Sequence, residues 1–440
     1  MAITDDALRA PALGGADPDE LILDAPHTYR VHTRAYTDPA VFEAEMRRVF
    51  ARTWVYVGHA SEIPGPGDYK TAHIGLQPVI LSRDDDGEIH VLVNRCVHRG
   101  SVVCRDARGT ANYFRCPYHG WVYGKDGSLT GISMRQGESG YSEHFQAPAG
   151  LHRVPRVASY RGLIFASFNP DVPSIEEHLG KAAFMIDNKL DQSPSGELVL
   201  RSDPYVVRYK GNWKFQAENI IDGYHFTFVH EGFIKLQEKY GDTTGDFGVH
   251  RGSSMAEVRK VRAKGVSWGS PHGHGLSAKP LDDVEPLLCG EFGEYYRGLL
   301  DAHGAERLAW IAGSGAMSIF PNLGMIHHQI RVWRPLAPGL TEVTVYPYEL
   351  AGAPDEINRG WLRSQERFYG PAGHGMPDDV EIFALNQQGL DASAVDWLIL
   401  ERGLDNERPT EDGNLEGLPS GETSQRAFWR RWRRLMAEGG

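Results

Sequence analysis

The sequence predicts an α+β protein in which a small all-β module precedes a larger α+β domain. Three observations carry this reading. From Trp54 to about Phe168 the chain runs in short β-rich segments cut by Gly and Pro. QPVILSRDDDGEIHVLVNR has a hairpin signal at Asp86-Gly87, and GLIFASF occupies 162–168. Beyond residue 169, helical patterns at 174–190, 212–240, 355–368 and 378–388 flank a strongly β stretch at 318–350. The chain has 440 residues, 41% of them apolar, enough at roughly 100–200 residues per domain for two or three domains around large cores.

The first twenty-five residues, rich in Ala, Asp, Pro and Gly, read as a loosely ordered arm. A helix follows, with Asp38 as its cap, Pro39 in its first turn, and Val41, Phe42, Met46, Val49 and Phe50 as its apolar side. The chain thus divides into an arm and helix at 1–53, the β module at 54–168 and the larger domain at 169–440. Within that domain 198–209 reads as a strand, and 241–283, rich in Gly, Ser, Asp and Lys, as the least structured interior stretch. Pro338-Gly339 marks a turn, Gly389 stops the helix at 378–388, and 412–424 is a linker before a last short helix. In that helix Phe428, Trp432, Leu435 and Met436 form an apolar side for docking on the same or a neighbouring subunit. His272 and His274 fall in a Gly/Ser stretch and read as a surface loop or lid.

The charge sum of 46 basic against 58 acidic residues, −12, argues against general affinity for nucleic acid or anionic membranes. No run approaches the ~18–20 apolar residues of a membrane span, and the N-terminus lacks the basic and apolar regions of a secretory signal. Four cysteines, Cys96, Cys104, Cys116 and Cys289, make no disulfide framework at this length. A cytoplasmic protein is expected, with its thiols serving as metal ligands or core fillers; Cys104 reads as a buried inert thiol.

Two short segments of the β module, NRCVHRGS and FRCPYHGW, place Cys96 with His98 and Cys116 with His119. Two thiolates and two imidazoles on separate tight loops can hold a tetrahedral zinc or a [2Fe–2S] cluster. Zinc fingers usually pair Cys with Cys and His with His in separate local units. Here each loop gives one of each, which suits a cluster with two thiolates on one iron and two imidazoles on the other. Gly100 and Gly120 are expected to turn backbone amides toward the sulfides. In GNWKFQAENIIDGYHFTFVHEG (211–232), Glu218, Asp222 and His225 are spaced to share one helical face, and His230 can join His225 on one metal only if the helix bulges, ends or breaks between them. Two imidazoles and one carboxylate make the facial triad of non-haem Fe(II) oxygenases, which leaves positions open for O₂.

C-x-H…C-x-x-H with HRG and YHGW attached resembles the Rieske domain of ring-hydroxylating oxygenase large (alpha) subunits, and E-N-x-x-D-x-Y-H-x₄-H resembles their catalytic domain. The resemblance runs from roughly residue 35 to 435. It implies a Rieske β-sandwich beside a helix-grip domain with a curved antiparallel sheet, a [2Fe–2S] cluster on Cys96, His98, Cys116 and His119, and a mononuclear Fe(II) on His225 and His230. It further implies that Asp222 bridges to a cluster histidine of the neighbouring subunit, that Asn219 lies near the iron, and that YGPAGHGMPDDVEIFALNQQGL (369–390) supplies the third ligand, Asp379, with Asp378 as the alternative. Phe226 and Tyr369 then line the substrate pocket, their bulk favouring one ring over a fused polycycle, and Arg331 is the first cation to test against a substrate carboxylate.

Details such as DGYH, QIRVWRP, TEVTVY and GPAG…PDD resemble the benzoate, toluate, anthranilate and cumate dioxygenase branch. The implied function is the terminal oxygenase of a multicomponent dioxygenase that makes a cis-dihydrodiol from a small aromatic carboxylate. The alternatives are a Rieske monooxygenase or demethylase, a pure Rieske electron carrier, and a metal-free ligand carrier. No strand is followed by G-x-G-x-x-G, so electrons must come from a ferredoxin, an NAD(P)H-dependent reductase, or both. A homotrimer, or an α₃β₃ assembly with a small β subunit, is implied by the resemblance.

Overall fold

The computed structural model describes residues 17–200, 203–240, 256 and 264–438. Two compact units emerge, one of Phe50–Ile175 and one combining Met1–Val49 with Glu176–Gly440. The arm expected over the first residues lies largely outside the described ones, although Ile22–Ala25 and Thr28–His32 already pair as strands.

The Phe50–Ile175 unit is built from short antiparallel strands. A four-stranded sheet runs in the order Ile89–Val93, Gln77–Arg83, Asp68–Ile74, Arg108–Thr110, and two three-stranded sheets accompany it. Its core joins Ile80, Leu92, Phe114, Trp121 and Tyr123 to both Cys96 and Cys116, so the two cysteine loops are anchored in apolar packing.

The other unit centres on a nine-stranded antiparallel sheet. Leu340–Pro347 and Gln329–Ala337, its longest strands, lie second and third from one edge and are joined at the turn expected at Pro338-Gly339. Thr341, Val343 and Val345 point into the core while their neighbours face out, the period-two alternation of a half-buried strand. The stretch read as unstructured is corrected in part. Val266–Gly269 and Gly275–Lys279 form a hairpin inside this sheet, while 241–255 and 257–263 lie outside the described residues. Leu415–Gly417, read as linker, is also a strand, paired with Val266–Gly269.

The reason is the C-terminal helix Thr423–Ala437, which packs directly on that hairpin. A Cβ on Gly269 would sit 2.6 Å from the Cβ of Ala427, and one on Gly275 would sit 2.9 Å from the Cβ of Ser424. These glycines are there for close approach, not for a loop. His274 is accordingly fully buried, accepting from the Phe320 N–H and donating to the His178 carbonyl, and is no part of a lid.

The helix that begins at Pro39 is capped as expected, Asp38 accepting from the Ala40 N–H at 2.8 Å. It ends on Glu45, which joins three helices. Lys214 Nζ donates to Glu45 Oε1 at 2.6 Å, and the indole N–H groups of Trp213 and Trp432 donate to the same carboxylate at 2.9 and 2.7 Å. Neither charged side chain is exposed. Removing one partner strands the other charge, so Lys214→Met should cost about 3–5 kcal/mol. Thermal unfolding followed by far-UV circular dichroism should show the loss, with Glu45→Gln/Lys214→Met recovering much of it. Equal stability of the two variants would contradict this role.

Candidate metal centres and substrate cavity

The two cysteine loops have the same backbone design. The Gly100 N–H donates to the Cys96 carbonyl at 2.9 Å, and the Cys96 N–H to the Ser101 carbonyl at 2.8 Å. In the second loop the Gly120 N–H donates to the Cys116 carbonyl at 3.0 Å, and the Cys116 N–H to the Trp121 carbonyl at 2.8 Å. Both glycines are left-handed, φ +75° and +69°. Their amides thus close the loops onto the cysteine carbonyls, and in the second loop the Tyr118 and His119 N–H groups are left to face the Cys116 sulfur. Asn94 pins the first loop, donating to the Cys104 carbonyl and accepting from the Val103 and Cys104 N–H groups. Cys104 itself is buried, as expected, and burial raises its thiol pKa.

Cys96 and Cys116 are buried free thiols, with the Tyr123 hydroxyl 3.0 Å from Cys96 Sγ. Burial pushes the Cys116 thiol up, but the Tyr118 and His119 N–H groups, with Cys96 and Ser101, more than offset it and leave its pKa below the ordinary value. The His98 ring stacks on Trp121 at 4.9 Å and crosses His119 at 4.6 Å; its Nδ1 is buried without a hydrogen-bond partner among the described residues.

The second centre departs from the expected single helix. Trp213–Asn219 ends before Asp222, and a separate turn, Phe226–Val229, lies between His225 and His230. The break therefore falls ahead of His225 as well as at His230. Glu218 does not share the site: it accepts from the Tyr36 hydroxyl and the Trp429 indole, and desolvation pushes its carboxyl up to about 7.

His225, His230 and Asp379 bring their donor atoms within 4.8 Å of one another. Asp379 Oδ1 lies 3.6 Å from His225 Nε2 and 3.2 Å from His230 Nε2. Asn219 Nδ2 donates to Asp379 Oδ1 at 3.3 Å and lies 3.3 Å from His225 Nε2. Both imidazoles thus turn Nε2 inward, and each Nδ1 has a carboxylate behind it. Asp222 Oδ2 is 3.3 Å from that of His225, and Asp378 Oδ2 3.5 Å from that of His230. Asp378 is 45% exposed and faces away from the triad, whereas Asp379 is buried near the start of Met376–Gly389. Burial raises the Asp379 pKa, but a hydrogen bond from His230 and the charges of His230, His225 and Arg331 outweigh it and hold the carboxyl below its usual value.

An inner pocket of about 90 Å³ contains this triad with Asn219, Asp222, Phe226, Arg331 and Tyr369, so the expected pocket residues meet in one place. Arg331 is buried on its strand, its guanidinium 4.6 Å from the centre of the Tyr369 ring. His327, at φ +50° in the turn between two central strands, also lines the pocket and was not anticipated; the paired histidines of a hairpin turn were its signal.

Residues 53–146 match the Rieske [2Fe-2S] domain, and residues 197–438 match the ring hydroxylating alpha subunit (catalytic domain). The chain therefore belongs to the large, or alpha, subunits of the Rieske ring-hydroxylating dioxygenases, oxidoreductases that carry a [2Fe–2S] cluster and a mononuclear iron. It is 33% identical over 432 residues to the 2-halobenzoate 1,2-dioxygenase large subunit of Burkholderia cepacia, covering 93% of this chain and 90% of that protein. With toluate 1,2-dioxygenase subunit alpha of Pseudomonas putida it shares 35% identity over 387 residues, 82% of this chain and 79% of the relative. The anthranilate 1,2-dioxygenase large subunit of Acinetobacter baylyi is 32% identical over 383 residues, 85% and 80% of the two chains. Naphthalene 1,2-dioxygenase with indole bound in the active site superposes with a TM-score of 0.81 at 28% identity, over 93% of each chain. The naphthalene 1,2-dioxygenase from Rhodococcus sp. gives 0.78 at 28%, over 93% and 94%.

The chain is thus a terminal oxygenase alpha subunit that works with O₂, a substrate and electron-transfer partners. Among the described residues no helix is long and apolar enough to cross a membrane. Both donor sets fit their groups: the unpartnered His98 Nδ1 and the low Cys116 pKa suit the cluster, and the inward Nε2 atoms with Asp379 suit one iron.

Proposed function

We propose that this subunit dioxygenates a single-ring aromatic carboxylate to its cis-dihydrodiol. Cys96, His98, Cys116 and His119 hold the cluster, His225, His230 and Asp379 hold the iron, and Arg331 holds the carboxylate. The overall change adds O₂, two electrons and two protons to the arene, forming two C–O bonds on one face. Bound cluster and iron supply one-electron transfer and O₂ activation. The chain's own groups position the rest. Asp222 accepts from the Tyr224 N–H at 2.6 Å through one oxygen and keeps the other against His225 Nδ1; 28% of its side chain stays exposed, as an acceptor reaching a neighbouring subunit's cluster histidine requires. Asn219 orients Asp379, and Phe226 and Tyr369 wall the ring site and exclude water.

The observation that carries the substrate class is one edge of Arg331. Its Nε and Nη2 are buried, and neither has a hydrogen-bond partner among the described residues. These two atoms form the fork that grips a carboxylate with two parallel bonds. Each unmet buried donor costs about 1–3 kcal/mol, which an aromatic acid would offset. The names of the halobenzoate, toluate and anthranilate dioxygenases support the same class.

Arg331→Gln tests it, assayed with reductase on benzoate and on uncharged toluene. A charged hydrogen bond is worth about 1.5–3 kcal/mol, so the KM for benzoate should rise roughly 10- to 100-fold while toluene is little affected. Equal losses on both would mean that Arg331 serves Asp379 and not the substrate. A ferredoxin or NAD(P)H-dependent reductase as donor, and a homotrimer or α₃β₃ assembly, complete the proposal.

A further inference from the structure

The inner pocket continues into a chamber of about 540 Å³; Gly223, Ser277, Ala316, Ile326 and His327 line both. The chamber wall carries three lysines, Lys189, Lys264 and Lys279, and no aspartate or glutamate among the described residues, in a chain of net charge −12. Lys264 is largely exposed and lies 3.7 Å from Asp282.

Lys189 differs from it. The helix Lys181–Leu190 buries Ala182, Met185, Ile186 and Lys189 on one side, and Lys189 is 5% exposed. No charged neighbour offsets its burial, which lowers its pKa to about 8. Its surroundings are polar but uncharged. His328 Nε2 lies 2.8 Å from Gln192 Oε1, and the His328 ring stacks on Trp361 and Tyr348. A buried cation without a counter-charge is destabilising, and an anion entering the chamber would remove that penalty. Tyr295, Tyr296 and Trp361 offer aromatic faces beside it.

We propose that the outer chamber is a second anion subsite, in which Lys189 takes a carboxylate or sulfonate of the arene substrate. The inference deepens the reading above and rests on it in taking the ligand to be the aromatic acid that is turned over. That acidic group is either a second substituent, remote from the one on Arg331, or the same carboxylate on its way inward.

Calorimetric titration of the resting holoenzyme, without reductase, separates the two. The ligands are benzoate, benzene-1,4-dicarboxylate and uncharged benzamide, and the proteins are wild type, Lys189→Met and Lys189→Arg. Met keeps chain length without charge and relieves an unpaired buried cation, so it should not impair folding; the cluster spectrum checks this, and Lys189→Gln is the second variant. Lys189→Met should weaken binding of at least one acid by about tenfold or more, leave benzamide unchanged, and be rescued by Arg. A loss confined to the dicarboxylate assigns Lys189 to a second substituent. An equal loss on both acids, with kcat on benzoate retained, assigns it to the incoming carboxylate. Unchanged binding of both acids, a matching loss on benzamide, or no measurable binding of either acid to wild type overturns the subsite. Failure of the Arg331 reading would show instead as an unchanged benzoate KM in Arg331→Gln.

Discussion

Asp222→Asn should load both metals, keep a reducible cluster and lose roughly 100-fold in product formation, the upper range for a group that backs a metal ligand. Asn preserves the shape and can still accept from the Tyr224 N–H, but it removes the negative charge 3.3 Å from His225 Nδ1. The cluster should therefore reduce and then fail to discharge. Stopped-flow bleaching of the cluster, set against product yield in a single turnover, measures both halves. If the bridge crosses subunits, mixing Asp222→Asn with a His98 variant should restore part of the activity in mixed trimers. No rescue in verified mixed trimers would contradict that route and leave the loss of turnover to be explained within one chain.

Asp379→Ala should abolish mononuclear iron and turnover together while leaving the [2Fe–2S] absorption and electron paramagnetic resonance spectra intact. Asp379 Oδ1 faces both inward Nε2 atoms and has the Asn219 amide holding it there. Asp378, one residue earlier, lies behind His230 and is much more exposed, so Asp378→Ala should cost about tenfold or less through looser orientation of that imidazole. Iron content by mass spectrometry with turnover on the same preparations ranks the two. The reverse ranking would move the third ligand to Asp378.

What could be read in advance depended on how local the determinants are. Each cysteine loop closes within six residues, so Cys96, His98, Cys116 and His119 were visible from spacing alone. His225 and His230 were visible for the same reason. Asp379 follows only from the family resemblance and not from spacing, because it reaches the site from a distant helix and looks like any acid in a first turn. The local path was misread where tertiary packing prevails. The helix stops at Asn219 so that Asp222 can form its own turn with Tyr224. The hairpin at 266–279 reads as loop in the sequence because Gly269 and Gly275, needed for the C-terminal helix to approach, look like turn residues. Lys189 carried a legible signal that went unused: it occupies an apolar-face position, spaced i, i+3, i+4 and i+7 with Ala182, Met185 and Ile186.

The central claim, dioxygenation of an aromatic acid, is tested most directly by turnover of benzoate under ¹⁸O₂ with a competent reductase. The account predicts a cis-dihydrodiol carboxylate with both labelled atoms on one molecule of product. A monohydroxylated benzoate with a single labelled atom, or turnover of uncharged arenes with none of benzoate, would contradict it.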